Sequence, residues 1–290
     1  MISIIIVVKD EPKIEETIGC ITSSPKPDDD IEIIVVDASN GKLDSIRNKF
    51  PDTRWIDYES KKKKKITIPE QRNVGIKVAN GNIIVFIDAG CLPIESWLQE
   101  LTSLILDREE KIVCGMSKSI GSTWFYDFVI KDTKRKKYLS EASTSNFAVG
   151  RDVFEDIGLF DESFDYGSDV DWSWRAINKG YKIRYIARAM ILHEGGSYFE
   201  DIKRSFRYGT ARARLYKKHK NRIKNILHTE LISVAYPLFL ILLPLTLIWP
   251  YYPFLLLIPF IKNINNRPFQ TIVNHIIYGF GILYEIMQSC

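Results

Sequence analysis

Negative charge is scarce in the last third of this 290-residue chain: of 36 Asp and Glu only Glu230 and Glu285 follow Asp201, whereas 12 of the 40 Lys and Arg do. The formal charge of +4 therefore hides an acidic portion up to Asp201 and a strongly basic one after it. Such an imbalance points to an anionic partner, membrane or nucleic acid, for the C-terminal part alone. Cysteine is also sparse. Cys20, Cys91, Cys114 and Cys290 form no CxxC pair and have no clustered His, which argues against a disulfide framework or structural zinc and for a reducing compartment. The N-terminus lacks a basic n-region, so Met1–Val8 reads as a buried strand rather than a signal peptide. Glycine-rich phosphate loops are missing too. Neither GxGxxG after the first strand nor GxxxxGK[ST] occurs, and any phosphates must be held by other means, usually a divalent cation on carboxylates.

What is present begins with a folded composition, 46% hydrophobic and 26% charged. Leu231 to Ile261 then runs for 31 residues without a charge. A bilayer core takes about 20 apolar residues per helix, so this run is long for one span and short for two. Pro237, Pro244, Pro250, Pro253 and Pro259 predict kinks or a hairpin near Trp249–Tyr252, and Thr271–Met287 is a weaker apolar segment. The alternative is a buried helical hairpin in a soluble protein. Before the run, Lys203–Lys224 holds ten Lys and Arg and no acid, interleaved with Phe206, Tyr208, Leu215 and Tyr216. A basic amphipathic helix on anionic lipid explains this without further assumptions, so nucleic acid is set aside as a partner. The expected organisation is a catalytic domain over 1–200, a basic juxtamembrane helix over 201–228 and a membrane-embedded region of two or three apolar segments, transmembrane helices among them, over 229–290. That places the protein at the cell membrane, multi-pass or hairpin anchored, with its catalytic domain cytoplasmic.

Residues 1–200 alternate β and α. Ile2–Val8 and Ile31–Val36 are continuous apolar runs rich in β-branched residues, as expected of strands buried on both faces of a mainly parallel sheet. Glu11–Ser23 has a helical period, Trp55–Asp57 is a short strand, and Pro69 opens a helix running to about Ala79. Asn82–Ile87 is the most apolar strand and ends on Asp88. Open α/β sheets bind ligands at the carboxyl ends of their strands, where Asp37 and Asp88 fall. A carboxylate there costs desolvation unless something occupies it, although each Asp could simply cap the next helix. The lysine run Lys61–Lys65 reads as a solvated loop.

Taken in order, several blocks resemble a family-2 glycosyltransferase of the GT-A type. They are Ile2–Val8 leading to Asp10-Glu11, Val35-Val36-Asp37-Ala38-Ser39, Gln71-Arg72-Asn73-Val74-Gly75-Ile76 and Ile84–Gly90, followed by Asn146–Arg151, Ile157–Glu162, Ser168–Arg175 and Leu192–Ser197. The resemblance covers roughly residues 1–220. It implies a GT-A open sheet flanked by helices and an inverting transfer of sugar from a nucleotide-diphosphate donor. The acceptor would be a hydroxyl of a lipid-linked or glycolipid molecule at the cytoplasmic face.

The resemblance also implies roles. Asp37 would receive the base or ribose, Arg72 and Asn73 would lie beside the nucleotide, and Asp10 and Asp88 would complete the donor site. Mg2+ or Mn2+ would neutralise the leaving diphosphate. Here the third position of the family's DxD is Gly90, leaving Asp88 and His193 to hold the metal. Asp169 matches the general base, with Ser168 in place of the usual glutamate; a helix N-cap is the plainer reading of the same residues. Asp171 and Trp172 are possible acceptor contacts, and Arg204 and Arg207 possible diphosphate contacts. Trp172 and Trp174 either stack on a sugar or pack in the core. Acceptor choice falls to Cys114–Ser145, which has no readable pattern. Two other functions compete: transfer onto polyprenyl phosphate, which would need no base, and a non-catalytic nucleotide-sugar binding module, suggested by Gly90 and Ser168.

Overall fold

The computed structural model describes residues 1–59, 66–120, 136–225, 231–264 and 267–288. Lys61–Lys65 lies outside these, as does part of Cys114–Ser145. The chain divides into two compact units, one reaching Gly195 and the other beginning at Gly196.

The first unit is built on a sheet of nine described strands: β1 (Ile2–Val8), β2 (Ile31–Asp37), β3 (Arg54–Asp57), β4 (Ile83–Asp88), β5 (Cys91–Pro93), β6 (Ile112–Ile120), β7 (Tyr138–Leu139), β8 (Asn146–Gly150) and β9 (Ile183–Glu194). Their spatial order is β3-β2-β1-β4-β8-β6-β9-β5, with β7 also on β9. The ladders from β3 to β4 are parallel, as is β6 on β9, while β8 runs antiparallel to both β4 and β6 and β5 antiparallel to β9. The sheet is therefore mostly parallel, as expected, with β8 and β5 running against their neighbours. The register sets Val8 beside Asp37 and Val7 beside Asp88, so both aspartates finish level at one edge.

Alternating side chains of the buried strands feed two cores. Ile2, Ile4, Ile6 and Val8 pack with Ile14 and Ile18 of α1 (Ile14–Ser23) and Trp97 and Leu101 of α4 (Trp97–Leu106). Ile5, Ile34 and Phe86 pack on the opposite face with Ile76 of α3 (Ile68–Val78), Phe154 of α5 (Arg151–Ile157) and Trp172 of α6 (Ser168–Asn178). A short helix, α2 (Asp44–Arg47), follows β2. Burying each large aliphatic side chain contributes about 1.5–3 kcal/mol, which explains why strands without polar alternation lie between two helical layers.

Two local devices aim the sheet edge. Helix α3 begins with a Thr67–Glu70 capping box and Pro69, and lies close on β1, where a Cβ at Gly75 would come 2.5 Å from Ile5 Cγ2. The β6/β9 ladder shifts register between Gly115 and Met116. Asn146 serves that irregularity: its Nδ2 donates to Met116 O and Ala189 O, each at 2.8 Å, and its Oδ1 accepts Trp97 Nε1 at 2.8 Å.

The second unit contains α7 (Tyr198–Lys218), α8 (Ile232–Ile241), α9 (Leu257–Lys262) and α10 (Pro268–Gln288), with 3₁₀ turns at Lys220–Asn225, Leu243–Leu247 and Tyr252–Leu256. Ser197 and Glu200 form a capping box that starts α7. Helices α7 and α10 approach backbone to backbone, since a Cβ at Gly209 would meet Tyr278 O at 2.1 Å and one at Gly281 would meet Phe206 O at 2.2 Å. Arg214 Nε pairs with Glu285 Oε1 at 2.8 Å across the same contact.

Among the described residues no helix is long and apolar enough to cross a membrane, which corrects the expectation of transmembrane helices. The prolines supply the reason: α8 stops at Ile241, Pro244 and Pro253 sit in 3₁₀ turns, and α9 has six residues, because each proline removes a backbone donor that a longer helix needs. Helix α10 has 21 residues but includes Asn274, His275 and Glu285. The apolar side chains nevertheless stay in the open, with Leu247 89% and Ile248 84% exposed.

Candidate active site

The carboxyl edge of the parallel strands gathers the charged groups. Asp88 ends β4 with its side chain 43% exposed, and its Oδ1 accepts Arg72 Nη2 at 2.8 Å. Arg72 comes from α3 and is 7% exposed, so a nearly buried guanidinium presses on an accessible carboxylate. Asp37 is buried at the end of β2, where its Oδ1 accepts the Ser39 amide at 2.8 Å. Asp10 follows β1 at φ 55°. Its amide donates to Ser39 Oγ and its Oδ1 accepts Lys42 Nζ, each at 2.8 Å, so Asp10 and Asp37 share one turn.

Asp169 lies in the first turn of α6, partly buried, with Oδ1 accepting the Val170 amide at 2.9 Å. Burial raises its carboxyl above the usual range; Arg72 opposes that shift and Glu141 adds to it. Arg72 thus bonds to Asp88 while its field reaches Asp169. On β6 the buried Cys114 thiol is pushed up to about 12, chiefly by desolvation with Asp169 adding to it, so it is no nucleophile. His193 lies near the end of β9, opposite Cys91 in the β5/β9 ladder, and Cys91 follows Asp88 by three residues along the chain. Its Nδ1 is 3.0 Å from Glu194 O, and Lys13 of the β1–α1 segment ion-pairs with Glu194.

No three His, Cys, Asp or Glu among the described residues group closely enough to hold a metal by themselves. A cation bridging a diphosphate needs only one or two protein donors, because phosphate and water oxygens complete its shell. Asp88, with its side chain 43% exposed, and His193 are chemically suited to it.

Two expectations, the acceptor contacts of Trp172 and Asp171, are corrected. Trp172 is fully buried in a ring cluster with Phe147, Phe154 and Phe160, and its Nε1 donates to Gly158 O at 3.1 Å, so it has no face for a sugar. Asp171 is also fully buried and accepts Arg175 Nε at 3.0 Å. Arg175 in turn holds Ile157 O and Leu159 O, so Asp171 fixes the turn before α6 instead of touching acceptor. Asn73 spends its amide on the protein: Nδ2 donates to Phe160 O at 2.9 Å and Glu162 Oε1 at 3.0 Å, and Oδ1 accepts the Phe160 amide at 3.0 Å. It steadies the loop that leads to Asp169. Arg204 and Arg207 belong to α7 in the second unit, Arg204 with Nη1 3.6 Å from Asp201 Oδ1.

Sequence reasoning missed Gln71, whose Nε2 donates to Val8 O at 3.0 Å and Val36 O at 2.9 Å and ties the ends of β1 and β2 together. Its position next to Arg72 was the available signal. It also passed over Ser39, which anchors both Asp10 and Asp37.

Comparison with known proteins agrees with this geometry. The fold is that of a mannosyltransferase, PcManGT from Pyrobaculum calidifontis, solved with GDP-Man and Mn2+: TM-score 0.70 at 19% identity, covering 100% of this chain and 88% of that one. The glycosyltransferase AglE of Haloferax volcanii is 27% identical over 245 residues, 78% of this chain and 77% of that protein. A pre-mycofactocin glycosyltransferase of Mycobacterium tuberculosis is 25% identical over 165 residues, which span 35% of its length. Residues 3–158 match the glycosyl transferase family 2 profile, more than half of the chain. With carboxylates level at the strand ends and that match beneath them, the chain belongs to glycosyl transferase family 2 and is a nucleotide-sugar glycosyltransferase.

Proposed function

We propose that this enzyme transfers a sugar, with inversion, from a nucleoside-diphosphate donor to a hydroxyl of a lipid-linked acceptor at the cytoplasmic membrane surface. The observation that carries the reading is Asp169, a carboxylate held at the start of α6 with its proton affinity raised by burial. An acceptor hydroxyl ionises far above neutral pH and needs such a base beside it. Asp169 takes the hydroxyl proton as that oxygen attacks the anomeric carbon, and the bond from that carbon to the diphosphate oxygen breaks. A single displacement of this kind inverts the anomeric centre. A phosphate acceptor would need no base and would leave Asp169 without a task.

The donor half of the site rests on Asp10, Asp37, Arg72 and Asp88. Asp37 and Asp10, joined through Ser39, face the end where a nucleoside is expected in an open sheet. Mg2+ or Mn2+, held by Asp88 and His193, would supply positive charge for the departing diphosphate. Arg72 offers a second cation at the same place.

The membrane part of the reading rests on the second unit. Its exposed apolar side chains, among them Leu247, Ile248, Tyr251 and Phe254, stand in the same unit as the ten basic residues of Lys203–Lys224. Large exposed apolar surface combined with positive charge fits an anionic lipid surface.

Substitution tests the base. Asp169→Asn should lower kcat by about 10²-fold or more while leaving nucleotide binding within about threefold of wild type. Unchanged kcat would remove Asp169 from the mechanism.

A further inference from the structure

Beside the base, the site has a row of three hydroxyls. The β4/β8 ladder ends with Ile87 beside Asn146, so the next residues, Asp88 and Ser145, leave the sheet next to one another at the active-site edge. Ser145 Oγ lies 2.9 Å from Ser143 Oγ and 3.4 Å from Ser117 Oγ of β6. The segment that carries Ser143 and Ser145 is fastened to the helix of the base: the Ala142 amide donates at 3.1 Å to Ser173 Oγ, one turn after Asp169 on α6. Its neighbour Glu141 is close enough to Asp169 for its charge to raise that carboxyl, and the Ser143 amide bears on Cys114, a thiol that also feels Asp169. Ser143 is exposed and Ser145 and Ser117 are half-buried, so the row is open to a ligand.

We infer that Ser145, flanked by Ser117 and Ser143, binds hydroxyls of a sugar carried by the acceptor and turns the one that reacts towards Asp169. The inference rests on the base reading above and names the reacting part of the acceptor as a glycosyl group. A serine hydroxyl both donates and accepts, as a sugar hydroxyl does. The two contacts within the row use two of its three hydroxyl protons, so one proton and several lone pairs remain to be offered. Charge argues the same way. Residues 138–146 include Glu141 and no Lys or Arg, so this flank of Asp169 repels a phosphate and admits a neutral, hydroxyl-rich group. The plainer role for the row is to tie the segment before β8 to β6. Loss of such a tie would disturb the helix of the base, which separates the two roles.

The experiment gives the full chain octyl glycosides of several sugars, and octyl phosphate, as acceptor probes with radiolabelled nucleotide sugars, and measures kcat and the acceptor KM. Wild type should label an octyl glycoside and leave octyl phosphate unlabelled. On that glycoside Ser145→Ala should raise the acceptor KM about 5-fold or more, with kcat, nucleotide binding and melting temperature close to wild type, because a hydrogen bond made equally before and during the reaction is lost. Ser117→Ala, which leaves the contact between Ser143 and Ser145 in place, should raise the same KM. An unchanged acceptor KM in Ser145→Ala, or a loss confined to kcat and melting temperature, overturns this assignment alone. So does a wild-type enzyme that labels no octyl glycoside, whether or not it labels octyl phosphate. Unchanged kcat for Asp169→Asn on the labelled glycoside overturns the base reading, and this inference with it.

Discussion

A carboxyl group kept ready to accept a proton is costly to the fold, and Asp169 shows how that cost is limited. Burial raises its pKa, and Arg72 pulls it back. A carboxyl whose folded pKa exceeds its unfolded value destabilises the protein once pH rises above the ordinary carboxylate range, about 3.9 for Asp, and costs nothing below it. Asp169→Asn should therefore melt higher than wild type at pH 7–8, with the difference vanishing as pH falls towards 4. Thermal melts across that range check it, and a variant that melts lower at pH 7.5 would show that the carboxylate is stabilising. Asp37 and Asp88 were legible in the sequence because each closes an apolar strand, a position sequence can mark. Trp172 and Asp171 were not, because the side of α6 that packs on Phe147 and Phe154 is set by residues distant in the chain. The bonds of Asn73 to the loop at Phe160 were invisible for a related reason, since that loop is far away in sequence.

At the scale of elements, the alternating strands and helices up to β4 could be read from periodicity and capping, with β1 against β4 the one pairing there that skips over intervening strands. The later half of the sheet could not. Strand β8 enters antiparallel between β4 and β6, and β5 returns on β9, pairings made by long connections without a local signature. Asn146 is where those distant pieces meet. Removing its side chain would leave Met116 O, Ala189 O and Trp97 Nε1 without their partner in a buried place. With each unsatisfied group costing about 1–3 kcal/mol, Asn146→Ala should lose about 3 kcal/mol or more in denaturant unfolding. A loss below about 0.5 kcal/mol would mean that the bulge holds without it. The prolines of 237–259 were visible as breakers, yet the length of the uncharged run outweighed them in the expectation of spanning helices. The structure gives the prolines more weight, with short helices and 3₁₀ turns in place of a span.

For the whole molecule, composition and charge carry the functional argument. Acidic residues are all but confined to the chain up to Asp201, so the part after it combines a net positive charge with a long apolar run. That division suits an enzyme that draws a charged donor from water and an acceptor from a lipid surface. The central claim is this transfer, and it can be measured in one assay. Membranes containing the full chain are incubated with nucleotide sugars carrying a radiolabel in the sugar, with Mg2+ or Mn2+ present, and the organic extract is counted. The account predicts that label from one nucleotide sugar enters the lipid fraction, and that membranes carrying Asp169→Asn show about 1% of that signal or less. Label that appears only as free sugar, or that enters lipid equally with the Asp169→Asn enzyme, would contradict it.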